Sequence, residues 1–557
     1  MYLRTTQRRN RDGTMVRYLQ LAHNQWDPLS GRSKVNVLFS FGREDELDRD
    51  AIRRLIASLA RALDPAEALQ VQAPELELLD SRPLGGAWLL ERLWAQLGLD
   101  QILHGLLRGR RLDPAAERAL LAMVCNRALE PMSKLGCAAW VNDKVAIPGL
   151  SELDDDRCYR AMDWLLEIEE ELCKQVYWAV ADLLNLEVDL LFFDTTSTYF
   201  ETGHEDPELE QEDHFRVRNP NSKDHRSDLP QVVIGMAVTR EGIPIRVWTW
   251  SGNTSDMSVI QQVKDDLRAW KLTRVVWVTD RGFNSAENRR YLQRAGGHYI
   301  VGEKLRSRSL EAKQALRRGG RFRKVADNLE VKEVVLDQGT MRDRFVICLN
   351  PEAAKRDAAI RTLLVSQLEK AIAGSDEKSP AERQRLAGGL VRSDLGGYLR
   401  VTTSGLLRVD AGKVTEHQRL EGKFLLRTSD PTLSAEDVAL GYKQLIQVER
   451  AWRDLKTSLD LRPVFHRKEE RIRAHVLLCW LSLLLIRIAE NGTGHTWHRV
   501  RWEMEKLHLV RANGPAGVVH QRTELTSAQH SLLRALDLEE PPRFQHLEPA
   551  ADAAETA

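Results

Sequence analysis

The sequence predicts a mixed α/β protein preceded by a β-hairpin and a helical region, and three observations point there. Two runs, VDLLFFDTTSTYFE and RVVWVTDRGF, are apolar on both faces, as strands at the centre of a covered sheet are. Helical patterns alternate with these and neighbouring strands after Glu187. Before that point, from Gly85 to about Leu184, the periodicity is helical almost throughout. A chain of 557 residues implies several domains. The character changes divide it into 1–83, 84–186, a catalytic α/β domain made of 187–305 and 432–490, a β-rich insertion at 306–431, and a C-terminal region 491–557.

Taken in order, TMVRYLQLA and KVNVLFSFG read as two strands of a hairpin between residues 14 and 42. A helical piece follows, AIRRLIASLARAL, and then an acidic, Pro-containing linker to about residue 83. In the helical region Leu89, Leu93 and Leu97 form one stripe, Asp113-Pro114 opens a helix, and Pro131 separates two more. This region is a candidate for DNA binding or for scaffolding, with no readable helix-turn-helix signature. In the α/β part, a tight Glu241-Gly242 turn joins two strands, Ser255 to Trp270 reads as a helix, and Asn284 to Glu287 matches a capping box. The insertion has strand-rich stretches, a helical arm from about Pro351, and a capped helix at Ser379. Ser434, with Asp437 three residues on, opens the helix that carries YKQLIQVERAWRDLK, which Gly441 is placed to kink. The Ala- and Glu-rich end is expected to be disordered.

Composition narrows the function classes. Lys plus Arg and Asp plus Glu number 81 each, so nucleic-acid binding has to come from local charge segregation. One such segment is 281–330, with 13 Lys and Arg against 5 acids. The six cysteines include no CxxC pair and read as buried thiols of a reducing cytoplasm. The N-terminus lacks the apolar core of a signal peptide, and the longest apolar run, Val476 to Ile486, is too short to span a bilayer. A cytoplasmic protein with no membrane partner is expected.

Three acids carry the chemistry. Asp194 and Asp280 end neighbouring buried strands, and strand ends of an α/β sheet converge on one edge, where ligands bind. Glu449 lies on the helix after the insertion, in line with Tyr442 and Lys456 at spacings of seven and bordered by Leu445, Trp452 and Arg453. Three gathered carboxylates repel unless a cation joins them. Oxygen donors of this kind suit Mg2+ or Mn2+, and two such ions clamp the attacking and leaving oxygens of a phosphoryl transfer. Tyr442 and Lys456, with Lys443 and Arg453, are candidate phosphate contacts. Taken one at a time, each acid also has a purely structural reading, as a loop cap, a local ion pair or a solvated helix face.

The motifs FFDTTSTYFE, SKDHRSDLPQVVIGM, SGNTSD, WVTDRGFNSAEN and YKQLIQVERAWRDLK, followed by LRPVFHRKEERIRAHVLL, occur in an order that resembles the bacterial insertion-sequence DDE transposases of the IS-four superfamily, in its IS-sixteen-thirty-four branch. The resemblance covers about residues 187 to 490. It implies an RNase H-like fold with a β-rich insertion before the glutamate, and Asp194, Asp280 and Glu449 as catalytic residues holding two Mg2+ or Mn2+ ions. It also implies an enzyme that binds the inverted-repeat ends of its element in double-stranded DNA, cuts them and joins the freed 3′-hydroxyls to target DNA, as a homodimer in the DNA complex. Other readings are an inactive relative that only binds DNA and a nuclease without strand transfer. The family's signature around the glutamate matches at Tyr442, Glu449 and Lys456 and departs at Leu445, where the pattern has Arg. Lys443, Arg450 and Arg453 are the neighbours placed to supply that contact. Hairpin-forming relatives hold a flipped base with a Trp in the insertion. None occurs between 306 and 431, where Phe322, Phe345, Tyr398 and Phe424 are the rings available.

Overall fold

The structure, a computed structural model, describes residues 1–10, 14–28, 31–60, 77–108, 115–183, 190–201, 215–220, 222–268, 270, 275–305, 309–338, 341–462, 464, 466–514 and 517–549. Of the linker expected from about residue 64 to 83, the part before residue 77 lies outside these residues and the rest is a strand, Glu77–Pro83, not a linker; the Asp113-Pro114 pair and the C-terminal end at 550–557 also lie outside them. The chain divides into two compact units, one of 1–80, 511–521 and 546–557 and the other of 81–510 and 522–545.

In the first unit the expected hairpin has a third strand. β1 (Tyr2–Arg9), β2 (Met15–Asp27) and β3 (Arg32–Arg43) form an antiparallel sheet in that order. β1 escapes a reading by hydrophobic pattern because its residues are mostly Thr, Gln and Arg. Two register shifts in the β2–β3 pairing add the local twist of bulges. The helix Arg49–Ala60 follows.

β4 (Glu77–Pro83) runs from the first unit into the second, where six helices follow among the described residues between Gly85 and Leu183. Pro131 separates Ala116–Leu129 from Lys134–Asp143, as expected, and Ser133 caps the latter. These helices share one continuous core with the sheet that follows. The bridge is Glu469–Thr493, a 25-residue helix long and apolar enough to cross a membrane, whose most apolar 18 residues are 94% buried inside the protein. Its Trp480 Nε1 donates to Pro244 O, and its Ser482 Oγ donates to Val124 O. A shared core is what a scaffold requires. All six cysteines are buried and free.

The main sheet has ten strands. Its centre is β5 (Leu190–Tyr199), β7 (Pro230–Val238), β8 (Pro244–Ser251), β9 (Val276–Thr279) and β10 (His298–Glu303), with the short β6 (Val217–Arg218) at one edge. β5 pairs antiparallel with β7 and parallel with β9, and β9 pairs parallel with β10. Every residue of β7 is buried, as is the apolar run of β5, in agreement with strands covered on both faces.

The segment 306–431 differs from a β-rich insertion. Its strands β11 (Arg323–Ala326), β12 (Leu329–Gln338), β13 (Met341–Leu349) and β16 (Lys423–Thr428) continue the main sheet beyond β10. The chain leaves that sheet between β13 and β16. There it forms the helices Pro351–Ile372, Pro380–Val391 and Ala411–Leu420 and the hairpin of β14 (Leu399–Val401) and β15 (Leu407–Val409), around a separate core of Leu368, Leu390, Tyr398, Leu399 and Leu407. The segment as a whole has more helix than strand because this excursion is mainly helical.

The expected single helix after Ser434 is two. Ser434 and Asp437 make the capping box, and Ala435–Lys443 is followed by Ile446–Thr457. The break comes at Gln444-Leu445, after Gly441, where i→i+3 bonds (Leu445 N to Tyr442 O, Gln447 N to Gln444 O) tighten one turn to 3-10 geometry. Gly441 serves a different purpose: a Cβ there would lie 3.0 Å from Leu190 Cδ1, so its absence lets the helix approach the sheet.

Candidate active site

Asp194 lies within β5, a correction to the expected strand end. β7 continues to pair with β5 as far as Tyr199, but the parallel pairing with β9 stops at Phe193↔Thr279. Asp194 and Asp280 are therefore the next residues of two adjacent parallel strands, side by side where the ladder between them ends. Burial, followed by the neighbouring carboxylates Asp256 and Asp280, pushes the Asp194 carboxyl up to about 6, against the pull of Lys223. Tyr442 Oη donates to Asp280 Oδ1 at 2.8 Å, and burial together with that carboxylate holds the phenol well above its ordinary range.

Lys223 and Asp256, neither assigned from sequence, complete this edge. Lys223 Nζ is 3.6 Å from Asp194 Oδ1 and 3.2 Å from Asp256 Oδ2, and it donates to Thr195 O at 2.7 Å and to Thr195 Oγ1 at 2.6 Å. Thr195 Oγ1 in turn donates to Asp256 Oδ1 at 2.5 Å. One ammonium thus holds two carboxylates apart. Both residues lie in runs that stood out, SKDHRSD and SGNTSD, Lys223 on a loop and Asp256 at the start of the helix Asp256–Arg268, and only the tertiary fold brings them together. Asn284 is not the helix cap. Ser285 caps Ala286–Gln293 instead, and Asn284 Nδ2 donates to Gly302 O, tying the loop after Asp280 to β10.

Glu449 is exposed on the second of the two helices and is not brought against Asp194 or Asp280. Among the described residues no group of three or more His, Cys, Asp or Glu is placed to hold a metal ion. The residues seven before and seven after it do reach the site's surroundings: Tyr442 touches Asp280, and Lys456 Nζ donates to Asp224 Oδ1 at 2.7 Å, beside Lys223. Arg462 shares Asp224 at 3.3 Å. Lys456 is thus committed to a carboxylate, and burial lowers its pKa. Lys443 and Arg453 are exposed. Arg450 pairs with Glu490 at 3.0 Å. Leu445 is buried in the core, so the residue that departs from the signature is a packing residue here.

A cavity of about 740 Å³ opens from Asp280 and Tyr442 toward the helical excursion, with Arg281, Lys304, Arg361 and Phe424 also in its wall. Of the insertion's rings, Phe345 and Tyr398 are buried, and Phe322 packs on a core of its own strands. Phe424 stacks on Tyr442, with ring centroids 6.2 Å apart.

Asp194 and Asp280 suit a divalent cation on chemical grounds: two oxygen donors at the ends of one parallel ladder, one of them raised by burial and then by its acidic neighbours, are relieved by positive charge. Among the described residues no third acid is grouped with them as a metal site.

Comparison with known proteins identifies the family. The family described as "Transposase DDE domain" matches residues 197–485, more than half of the chain; the match holds Asp280 and Glu449 and begins three residues after Asp194. "IS1634 family transposase, N-terminal domain" matches residues 3–70. No curated protein matches. A piggyBac transposase synaptic complex with hairpin DNA, solved by cryo-EM, is similar over 75% of this chain and 76% of its own at 10% identity and a TM-score of 0.34, a likeness too slight to argue from. With a DDE domain over more than half its length and the family's own N-terminal domain ahead of it, the chain belongs to the DDE transposases of bacterial insertion sequences, in the IS1634 family, and is a DNA transposase.

Proposed function

We propose that this transposase cuts the inverted-repeat ends of its element and joins the freed 3′-hydroxyls to double-stranded target DNA, with Asp194, Asp280 and Glu449 as its catalytic residues and ligands of two Mg2+ or Mn2+ ions. The observation that carries the reading is the pair Asp194 and Asp280 on adjacent parallel strands, one of them gripped by Tyr442 from the helix pair that bears Glu449. Divalent ions bound there supply Lewis-acid stabilisation of the attacking and leaving oxygens. Tyr442 fixes the rotamer of Asp280 through its hydrogen bond. Lys223 keeps Asp194 and Asp256 from repelling each other, and it is the cation that a metal ion would displace. Glu449 completes the donor set by a shift of Ile446–Thr457 toward the strands. Its position between two residues that already touch the site's surroundings supports this. The exposed Lys443 and Arg453 contact DNA phosphates. Tyr442 and Lys456 do so only where a phosphate replaces their present carboxylate partners.

The sheet order β8-β7-β5-β9-β10, antiparallel on one side of β5 and parallel on the other, supports an RNase H-like fold interrupted by 306–431. The division into 1–83, 84–186, 187–305 with 432–490, 306–431 and 491–557 is part of the same reading, as is a homodimer that holds two ends together. The test is incubation of the full chain with a labelled duplex of the element end and a supercoiled target, with Mg2+, Mn2+ or EDTA. Metal-dependent cuts at the end together with joined products are expected. Cuts without joined products would make the protein a nuclease, and DNA binding without cuts an inactive relative.

A further inference from the structure

Lys223 and Asp224 are consecutive, and their charges go to different halves of the site. His225 N donates to Ser222 O at 3.1 Å, which closes a β-turn with Lys223 and Asp224 at its two corner positions. Lys223 N donates to Ser197 Oγ at 3.1 Å and Arg226 N to Ser222 Oγ at 3.3 Å, so the turn is fastened to β5 and braced within itself. From the first corner Lys223 reaches the carboxylates of Asp194 and Asp256 at the sheet edge. From the second, Asp224 reaches the helix that bears Glu449: its Oδ1 accepts from Lys456 Nζ at 2.7 Å, and its Oδ2 accepts from Arg462 Nη1, just past that helix, at 3.3 Å. The Lys456 and Asp224 side chains are 15% and 12% exposed, so this pair is not one of the solvated surface bridges that contribute little. Losing either partner leaves the other charge largely buried and uncompensated. The helix has two further ion pairs, Arg450 with Glu490 and Asp454 with Arg487, and both fasten it to Glu469–Thr493 instead of the sheet edge.

We propose that Asp224 is a positioning residue for Glu449 and that the turn of Lys223 and Asp224 couples the two halves of the site, so that release of Lys223 from the carboxylates and movement of the Glu449 helix are one event. The inference rests on the proposed catalytic assignment and adds to it a link between the aspartates and the glutamate. Consecutive Cα atoms are about 3.8 Å apart, so one corner of a closed turn cannot be displaced without moving the other or breaking the turn. Whatever cation replaces Lys223 at Asp194 therefore moves the turn, and Asp224 passes the movement to Lys456. Lys456 stands about 10 Å along the helix axis from Glu449, and a helix moves as a rigid body over that distance. His225 leaves the turn in the left-handed region, at a φ of 57°, which a non-glycine residue adopts at a cost. The turn is thus held by its side-chain ties, and changing one of them changes the turn.

The test is hydrogen–deuterium exchange of the full-length protein without DNA, read by mass spectrometry over a Mn2+ titration at constant ionic strength. In the parent protein, peptides covering 222–226 and 446–457 should change exchange at one shared Mn2+ midpoint. In Asp224→Asn the response at 222–226 should remain, and that at 446–457 should fall by about threefold or more in amplitude. Asp224→Glu, which keeps the charge, should restore the shared midpoint. Arg226→Gln, which removes the turn's exposed pair with Asp228, should behave as the parent does. In single-turnover cleavage of an element-end duplex at saturating Mn2+, Asp224→Asn should be about thirtyfold slower, since a misplacement of about 1 Å costs up to about a hundredfold. Its affinity for the same duplex in EDTA should not fall. Circular dichroism checks folding, and Lys456→Met, which cuts the same tie from the helix side, takes the place of an Asp224→Asn protein that does not fold. A 446–457 segment that responds in Asp224→Asn as in the parent overturns the proposal, as does an equal slowing by Arg226→Gln. A parent in which 222–226 responds alone overturns the coupling and leaves the metal site standing. A parent in which neither segment responds overturns the metal assignment and the coupling with it.

Discussion

Asp194 and Asp280 are held by the backbone of the sheet, whereas Glu449 depends on the packing of a helix. The ladder between β5 and β9 fixes the two aspartates side by side, and Tyr442 and Lys223 lock their carboxylates. Glu449 follows a 3-10 turn at Gln444-Leu445 and is exposed. A strand pair leaves little freedom at its end, but a two-part helix shifts as a body when its joint changes. On the proposed assignment, the aspartate half of the site is preformed and the glutamate half is brought in by the helix.

The largest effect tests the preformed half. Asp194→Asn or Asp280→Asn should lower metal-dependent cleavage of an element-end duplex about a thousandfold, since the metal supplies most of the charge stabilisation in such a transfer. Binding to the same duplex in EDTA should be unaffected. Activity within tenfold of the parent protein would remove the aspartates from the site.

The next effect decides which acid is the third. Asp256 already shares Lys223 with Asp194, and Glu449 does not. If the helix supplies the ligand, Glu449→Gln costs about a hundredfold in cleavage and Asp256→Asn only a few-fold. The reverse ranking would place the whole donor set on the sheet edge and leave the helix to bind DNA.

How far these features were legible follows from what holds them. The two aspartates stand out because an apolar strand run meets an acid, a local signal. The capping boxes at Ser379 and Ser434 are equally local, and both form. Lys223 and Asp256 meet across 33 residues of chain, and no periodicity encodes that meeting. β1 was hidden because both of its faces are polar in sequence, although its pairing with β2 is regular from Tyr2 to Arg9. The joint at Gln444-Leu445 contains neither Gly nor Pro, so no local breaker marks it; Leu445 there is buried in the core. At that buried position an Arg would have to leave the core, so the Leu is a packing residue.

A cation at the preformed half should compete with protons. The folded pKa of Asp194, about 6, lies above the ordinary carboxylate value of about 3.9. In the cation-free protein the raised value means that stability falls as pH rises from about 4 to about 6, because the folded state then gives up a proton it binds more tightly than the unfolded chain does. A bound divalent ion removes that penalty at neutral pH. The apparent Mn2+ affinity, read from the rise in melting temperature over a titration, should therefore be about tenfold weaker at pH 5 than at pH 7.5. In Asp194→Asn the difference should shrink. An unchanged difference would assign the titration to another group.

The smallest effect separates a hydrogen bond from a shape. Tyr442→Phe removes only the donor to Asp280 and leaves the ring stacked near Phe424. A hydrogen bond to a charged group is worth roughly 1.5 to 3 kcal/mol, and a rotamer-holding one less, so a drop of about fivefold in the cleavage rate is expected, with DNA affinity in EDTA unchanged. Gly302→Ala approaches the same contact from the other side: a Cβ there would lie 2.5 Å from the Tyr442 hydroxyl and displace it. If the bond is what orients Asp280, the double variant is no worse than the more impaired single one, because each change removes the same contact. Additive losses would mean that Gly302→Ala also disturbs the loop tied to β10 by Asn284, and a Tyr442→Phe protein at full rate would leave Asp280 oriented by the strand alone.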